Sequence, residues 1–92
     1  MKQIEFMWKM KSAGLEVRQT TGTVVKALIA PEVILEHSTH VDRELITLVI
    51  GEIGTDGEIN IAIDTDADKL EKVLEMHEAN ATKEDYIKAF KR

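Results

Sequence analysis

Cysteine is absent from the 92 residues, so the chain holds no disulfide framework, thiolate-bound zinc, iron–sulfur cluster or cysteine nucleophile. Aromatic residues make up only 4% of the chain, too few for an extended base-stacking surface. Long apolar runs are missing too. The best, residues 24–30 and 45–50, fall far short of the roughly 20 residues that cross a bilayer. The N-terminus mixes charged with apolar side chains and builds no signal-peptide core. A soluble, cytoplasmic protein with no membrane partner is the expectation. Proline occurs once, at Pro31, where it disfavours helix at Ala30 and removes a ladder donor.

Positive charge is scarce in the middle of the chain. Residues 1–26 carry five Lys/Arg against two Glu, residues 27–68 carry Arg43 alone against ten Asp/Glu, and residues 69–92 carry six against five. The net charge of −5 is therefore concentrated in one stretch, which repels nucleic-acid phosphates and suits a basic partner or a cation. Ninety-two residues with 43% apolar side chains can bury one core, so a single domain spanning residues 1–92 is expected.

Periodicity predicts the elements. Ile4, Phe6, Trp8 and Met10 share one parity, which reads as a half-buried strand over residues 3–10, with Met7 the exception. Gly14 then predicts a hairpin into a second strand over residues 15–18. Residues 24–30 are rich in β-branched side chains and read as a strand, with a helix from about Thr23 to Ala30 as the alternative. Residues 33–35 continue as a strand after a bend at Pro31, and residues 38–42 are polar and turn-like. Residues 45–50 are nearly apolar on both parities, as in a central strand covered on both faces. Asp56-Gly57 marks a hairpin into residues 58–63, where Ile59, Ile61 and Ile63 share a face.

Leu70, Val73, Leu74 and His77 fall on one helical stripe. A second helix begins at Thr82, whose hydroxyl caps while Asp85 reciprocates three residues on, and it buries Tyr86, Ile87 and Phe90. The expected fold is α+β: an antiparallel β-sheet of about five strands with two C-terminal helices packed on one face. The other face of residues 45–50 then needs a cover. A second subunit is the natural candidate, and a homodimer is expected as readily as a monomer.

Three clusters carry candidate chemistry. Asp64, Asp66 and Asp68 alternate between an apolar run and a helix, and with Glu75 they fill the first, third, fifth and twelfth positions of a calcium loop. Lys69 stands where that loop needs glycine, and no helix enters it. Thr65 and Asp68 also match a capping box, which accounts for the same residues at a helix start, with Asp66 as an alternative cap. A divalent cation is the weaker reading, and no other cofactor is expected. A strand-DxD phosphotransferase would need a larger α/β scaffold than the residues after Asp64 supply.

His37 and His40, three apart and flanked by Glu36 and Asp42, form a second candidate for a transition metal, with a solvated loop as the plainer reading. A pH-sensitive contact is a third. His77 on its apolar stripe reads as a packed, hydrogen-bonded imidazole with no catalytic partner. Ser38 and Thr39 beside the histidines lack a glycine elbow or oxyanion hole. Gly51, Gly54 and Gly57 match neither G-x-G-x-x-G nor a P-loop, and Glu52, Asp56 and Glu58 make that turn acidic. Phe6, Trp8 and Met10 on one strand face, near Lys9, Lys11 and Arg18, could stack single-stranded bases, although so few rings suit a core better.

No enzyme is expected. The sequence reads as a small acidic binding or regulatory protein that docks on a protein partner, with Asp42, Glu44, Glu52, Asp56 and Glu58 as the contact surface. A decoy or inhibitor of a basic surface is the more specific form. A metal-binding protein and a small enzyme with an unrecognised site are the rival classes.

Overall fold

The structure, a computed structural model, describes residues 1–52, 54–63 and 67–90. Helix α1 (Gln3–Ser12) leads into five strands, β1 (Glu16–Gln19), β2 (Val24–Ala30), β3 (Val33–Thr39), β4 (Glu44–Ile50) and β5 (Ile59–Ala62). Helices α2 (Ala67–Glu78) and α3 (Lys83–Phe90) close the chain. The strands form one antiparallel meander in the order β1-β2-β3-β4-β5, so the class is α+β as expected. Residues 24–30 are strand and not the alternative helix. The strand beginning at Val33 runs on to Thr39, and the polar turn is confined to residues 40–43.

Residues 3–10 overturn the predicted first strand. Their alternation hides two i, i+4 pairs: Phe6 and Met10 are fully buried, while Ile4 and Trp8 lie on the outer side of the same helix. Met7, the exception to strand alternation, packs against the core beside them. Gly14 is a helix stop and not a hairpin turn. It adopts φ +83° and its N–H donates to Lys11 O, while the Leu15 N–H donates to Met10 O, the paired bonds of a Schellman motif. Asn80 (φ 56°) ends α2 in the same way, with Asn80 N–H on His77 O and Ala81 N–H on Met76 O.

The start of α3 follows the sequence reading. Thr82 N–H and hydroxyl donate to Asp85 Oδ2 at 2.9 and 3.0 Å, and the Asp85 N–H returns to Thr82 Oγ1 at 3.4 Å. The Thr82 backbone bond, and then its hydroxyl bond, hold the Asp85 carboxyl below its usual range.

The core contains one parity of each interior strand. Val25, Ala27 and Ile29 of β2, Val33 and Leu35 of β3, and Ile46, Leu48 and Ile50 of β4 form a single buried cluster with Phe6, Met10, Val73 and Tyr86. Register explains the grouping, since Ala27 faces Leu35 and Leu35 faces Leu48 across the ladder. All three helices thus stack on the same face, with two layers and not three. The shortest dimension, 22 Å, fits one sheet about 10 Å thick beneath one helix about 10 Å across.

At the β4–β5 connection Gly51 is required twice over. It adopts φ +103°, and a Cβ there would collide with the Gly57 carbonyl oxygen. Its N–H donates to Glu32 O at 2.8 Å, tying the connection to the β2–β3 turn. Glu32 is itself left-handed (φ 60°), and its carboxylate meets Lys83 Nζ at 2.8 Å, which raises the lysine pKa.

Candidate interaction surfaces

No described helix lies on the opposite parity of the sheet. Three rows cross this open face in register: Glu16, Leu28, Ile34, Val49 and Asn60; then Arg18, Lys26, Glu36, Thr47 and Ala62; then Val24, Ser38 and Leu45. None of these side chains belongs to the core cluster or packs against it. Leu28 is 39% exposed, Val24, Ile34 and Leu45 are half-buried, and Val49 is buried. Lys26 Nζ and Glu36 Oε2 stand 4.0 Å apart in the middle of the face, and Arg18 makes a 2.9 Å pair with Glu16 at its corner. The face is therefore an apolar field with one dipolar pair at its centre. The alternation of residues 24–28 and 33–38 carried this signal, because Lys26, Glu36 and Ser38 interrupt the parity that includes Leu28 and Ile34.

Helix α1 presents a smaller apolar patch. Ile4 is 60% exposed and Trp8 68% exposed, and with Met7 and Lys11 they line a shallow groove of about 180 Å³. The stacking platform weighed as an alternative for Phe6, Trp8 and Met10 does not form, because the helix turns Phe6 and Met10 into the core and leaves Trp8 outside.

The five acidic contact residues fall into two groups. Asp42 and Glu44 flank one end of β4, while Glu52, Asp56 and Glu58 lie beyond the other end, about 20 Å away for seven extended residues. Glu44 is half-buried and engaged: its Oε1 accepts the Gln3 N–H at 3.1 Å, a carboxylate set against the N-terminus of α1. Glu58 Oε2 accepts the Gly54 N–H at 3.0 Å inside the turn. Asp42, Glu52 and Asp56 are exposed.

The three histidines are kept apart. His37 is a core residue, not part of a loop: β3 carries it under α1, its ring lies 5.2 Å from Phe6, and its Nε2–H donates to the Met1 carbonyl at 2.8 Å. Glu44 Oε1 lies 3.8 Å from the same nitrogen, and Nδ1 has no hydrogen-bond partner among the described residues. His40 is exposed in the β3–β4 turn. His77 is half-buried, as its stripe predicted, and its Nδ1–H donates to Ile29 O at 3.0 Å. It borders a groove of about 200 Å³ with Pro31, Asn80 and Ala81, in which it is the one titratable side chain.

Asp64 and Asp66, like Thr65, lie outside the described residues. Asp68 is in the first turn of α2, and Glu75 is exposed two turns on. Among the described residues no group of three or more His, Cys, Asp or Glu side chains converges as a metal site would require. No described helix is long and apolar enough to cross a membrane. Comparison with protein-family models, with curated proteins and with solved structures returns no match.

Proposed function

We propose that the protein acts by binding, without catalysis, and that it docks a protein on the open face of its sheet. The observation that carries this reading is the register that sets exposed Leu28 beside half-buried Ile34, with half-buried Val24 and Leu45 on the same face, which no described helix covers. Exposed apolar side chains set around a central pair of opposite charges give a partner both apolar contact and a polar register on a small domain.

Affinity capture compared between the wild-type chain and an Ile34→Asp variant of matched melting temperature tests the reading. The expected result is a bound protein that the variant releases. Identical capture by both chains would contradict it. The net charge and the exposed Asp42, Glu52 and Asp56 favour a basic partner surface as the second contact, so capture that is unchanged between low and high salt would remove the decoy form of the proposal.

A further inference from the structure

We infer that the partner seated on the open face is a second copy of this chain, related by a two-fold axis that runs along the strands between β2 and β3. This rests on the open face being the docking surface, and it specifies the occupant. In a two-fold interface the same patch meets itself, so a face that can pair with itself must place unlike charges opposite each other after rotation. The ladder decides which rotation does so. Lys26 and Glu36 are register partners, as are Leu28 and Ile34 and also Val24 and Ser38.

An axis along the strands between β2 and β3 exchanges those partners. It sets Lys26 over the second copy's Glu36, Glu36 over its Lys26, and Leu28 over its Ile34. An axis centred on β3 would instead stack Glu36 on Glu36, and an axis across the strands through the charged row would stack Lys26 on Lys26. Both are repulsive, and of these arrangements the first alone sets each charge of the central pair against its opposite. The central 4.0 Å pair of each copy becomes a four-charge ring of alternating sign, in which each charge has two opposite neighbours in place of one. Arg18 then lies over Thr47, and the twist of two aligned sheets separates the corner where Glu16 would meet Val49.

The size of the face is consistent with a reversible dimer. At a spacing of about 4.8 Å, β2 and β3 overlap over about 20 Å, and four-residue β1 overlaps β4 over about 13 Å, which covers roughly 300 Å² of plane per copy, and the corrugated accessible surface is larger. The two-sided total then lies below the roughly 1,200 Å² of standard interfaces, in the range of weak, transient contacts. A dimer dissociating in roughly the micromolar range is the expectation for an interface of that size with few aromatic anchors.

The test is a charge exchange between chains. Lys26→Glu alone puts glutamate against glutamate in the dimer, and Glu36→Lys alone puts lysine against lysine. Mixed one to one, the two variants place glutamates on one copy against lysines on the other, while the pair within each chain stays broken. Light scattering across concentration should show wild-type mass rising from one chain to two, each variant associating at least about tenfold more weakly, and the mixture forming heterodimers. A wild-type mass of one chain throughout, unweakened single variants, or a mixture that stays monomeric would overturn the second-copy assignment. A monomeric wild type whose capture of another protein is still lost with Ile34→Asp would leave the docking reading standing and remove only the second copy. Loss of neither property with Ile34→Asp would remove both.

Discussion

Alternate residues of the same three strands build two very different surfaces. Toward the helices the strands present Val25, Ala27, Leu35, Leu48 and Ile50, all buried in one cluster, and His37, the one fully buried polar side chain among the described strand residues, bonded to the Met1 carbonyl. Away from the helices they present Leu28 and Ile34 interleaved with Lys26, Glu36, Ser38 and Thr47. A core parity tolerates no unpaired charge, because burying one costs several kcal/mol. The mixed parity is therefore a surface suited to contacts that form and part. In a 92-residue chain this division is economical, since one parity of each interior strand builds the core and the other stays outside it.

Substitutions at neighbouring positions on opposite faces give the largest expected effect. Leu35→Ala should cost about 2–5 kcal/mol through the lost contacts and the cavity, whereas Ile34→Ala in the monomer should cost about 1 kcal/mol or less. Chemical denaturation of the two variants checks this, and equal losses would mean that the open face is covered. Next in size is Gly51→Ala, which introduces a Cβ against the Gly57 carbonyl at a left-handed position. A loss of about 1–3 kcal/mol is expected, without change in the open-face contacts.

Thr82→Ala should cost about 1 kcal/mol by removing the cap of α3 on the covered side. The same cap is acid-sensitive. Asp85 has a folded-state pKa below its ordinary 3.8, so its contribution is present above that value and is lost as the pH falls through the lower folded one. The wild-type chain should therefore lose more stability than Asp85→Asn between pH 5 and the acid limit, and parallel curves would show that the cap does not titrate. The smallest effect is expected at Tyr86, whose buried hydroxyl has no hydrogen-bond partner among the described residues and whose pKa is raised by desolvation. Tyr86→Phe should be neutral or slightly stabilising in a thermal melt, since it removes an unsatisfied polar atom and leaves the ring in place.

Much of the fold is written in periodicity. Strands β2, β4 and β5, the stripe of α2 and the Thr82 cap follow from spacing and capping residues alone. Helix α1 does not, because four apolar residues at alternate positions satisfy both a strand and two i, i+4 pairs over one short segment. The deciding signal was Gly14 with Lys9 and Lys11 just before it, a helix C-terminus and not a hairpin. The acidic residues were legible as a composition but not as a place. Two-dimensional register, absent from a one-dimensional reading, sends Asp42 and Glu44 to one end of β4 and Glu52, Asp56 and Glu58 to the other. Likewise the apolarity of residues 45–50 on both parities signalled a second face in need of a partner, but only the ladder shows that Lys26 and Glu36 stand together on it.

The central claim is that one face of the sheet is core and the other is a docking surface. Urea denaturation of Ile34→Asp beside Leu35→Asp, at about 1 µM so that association contributes little, tests it most directly. Leu35→Asp should abolish cooperative folding, while Ile34→Asp should unfold within about 1 kcal/mol of the wild-type chain. Comparable collapse of both variants would contradict the account, because the face bearing Ile34 would then be as buried as the core.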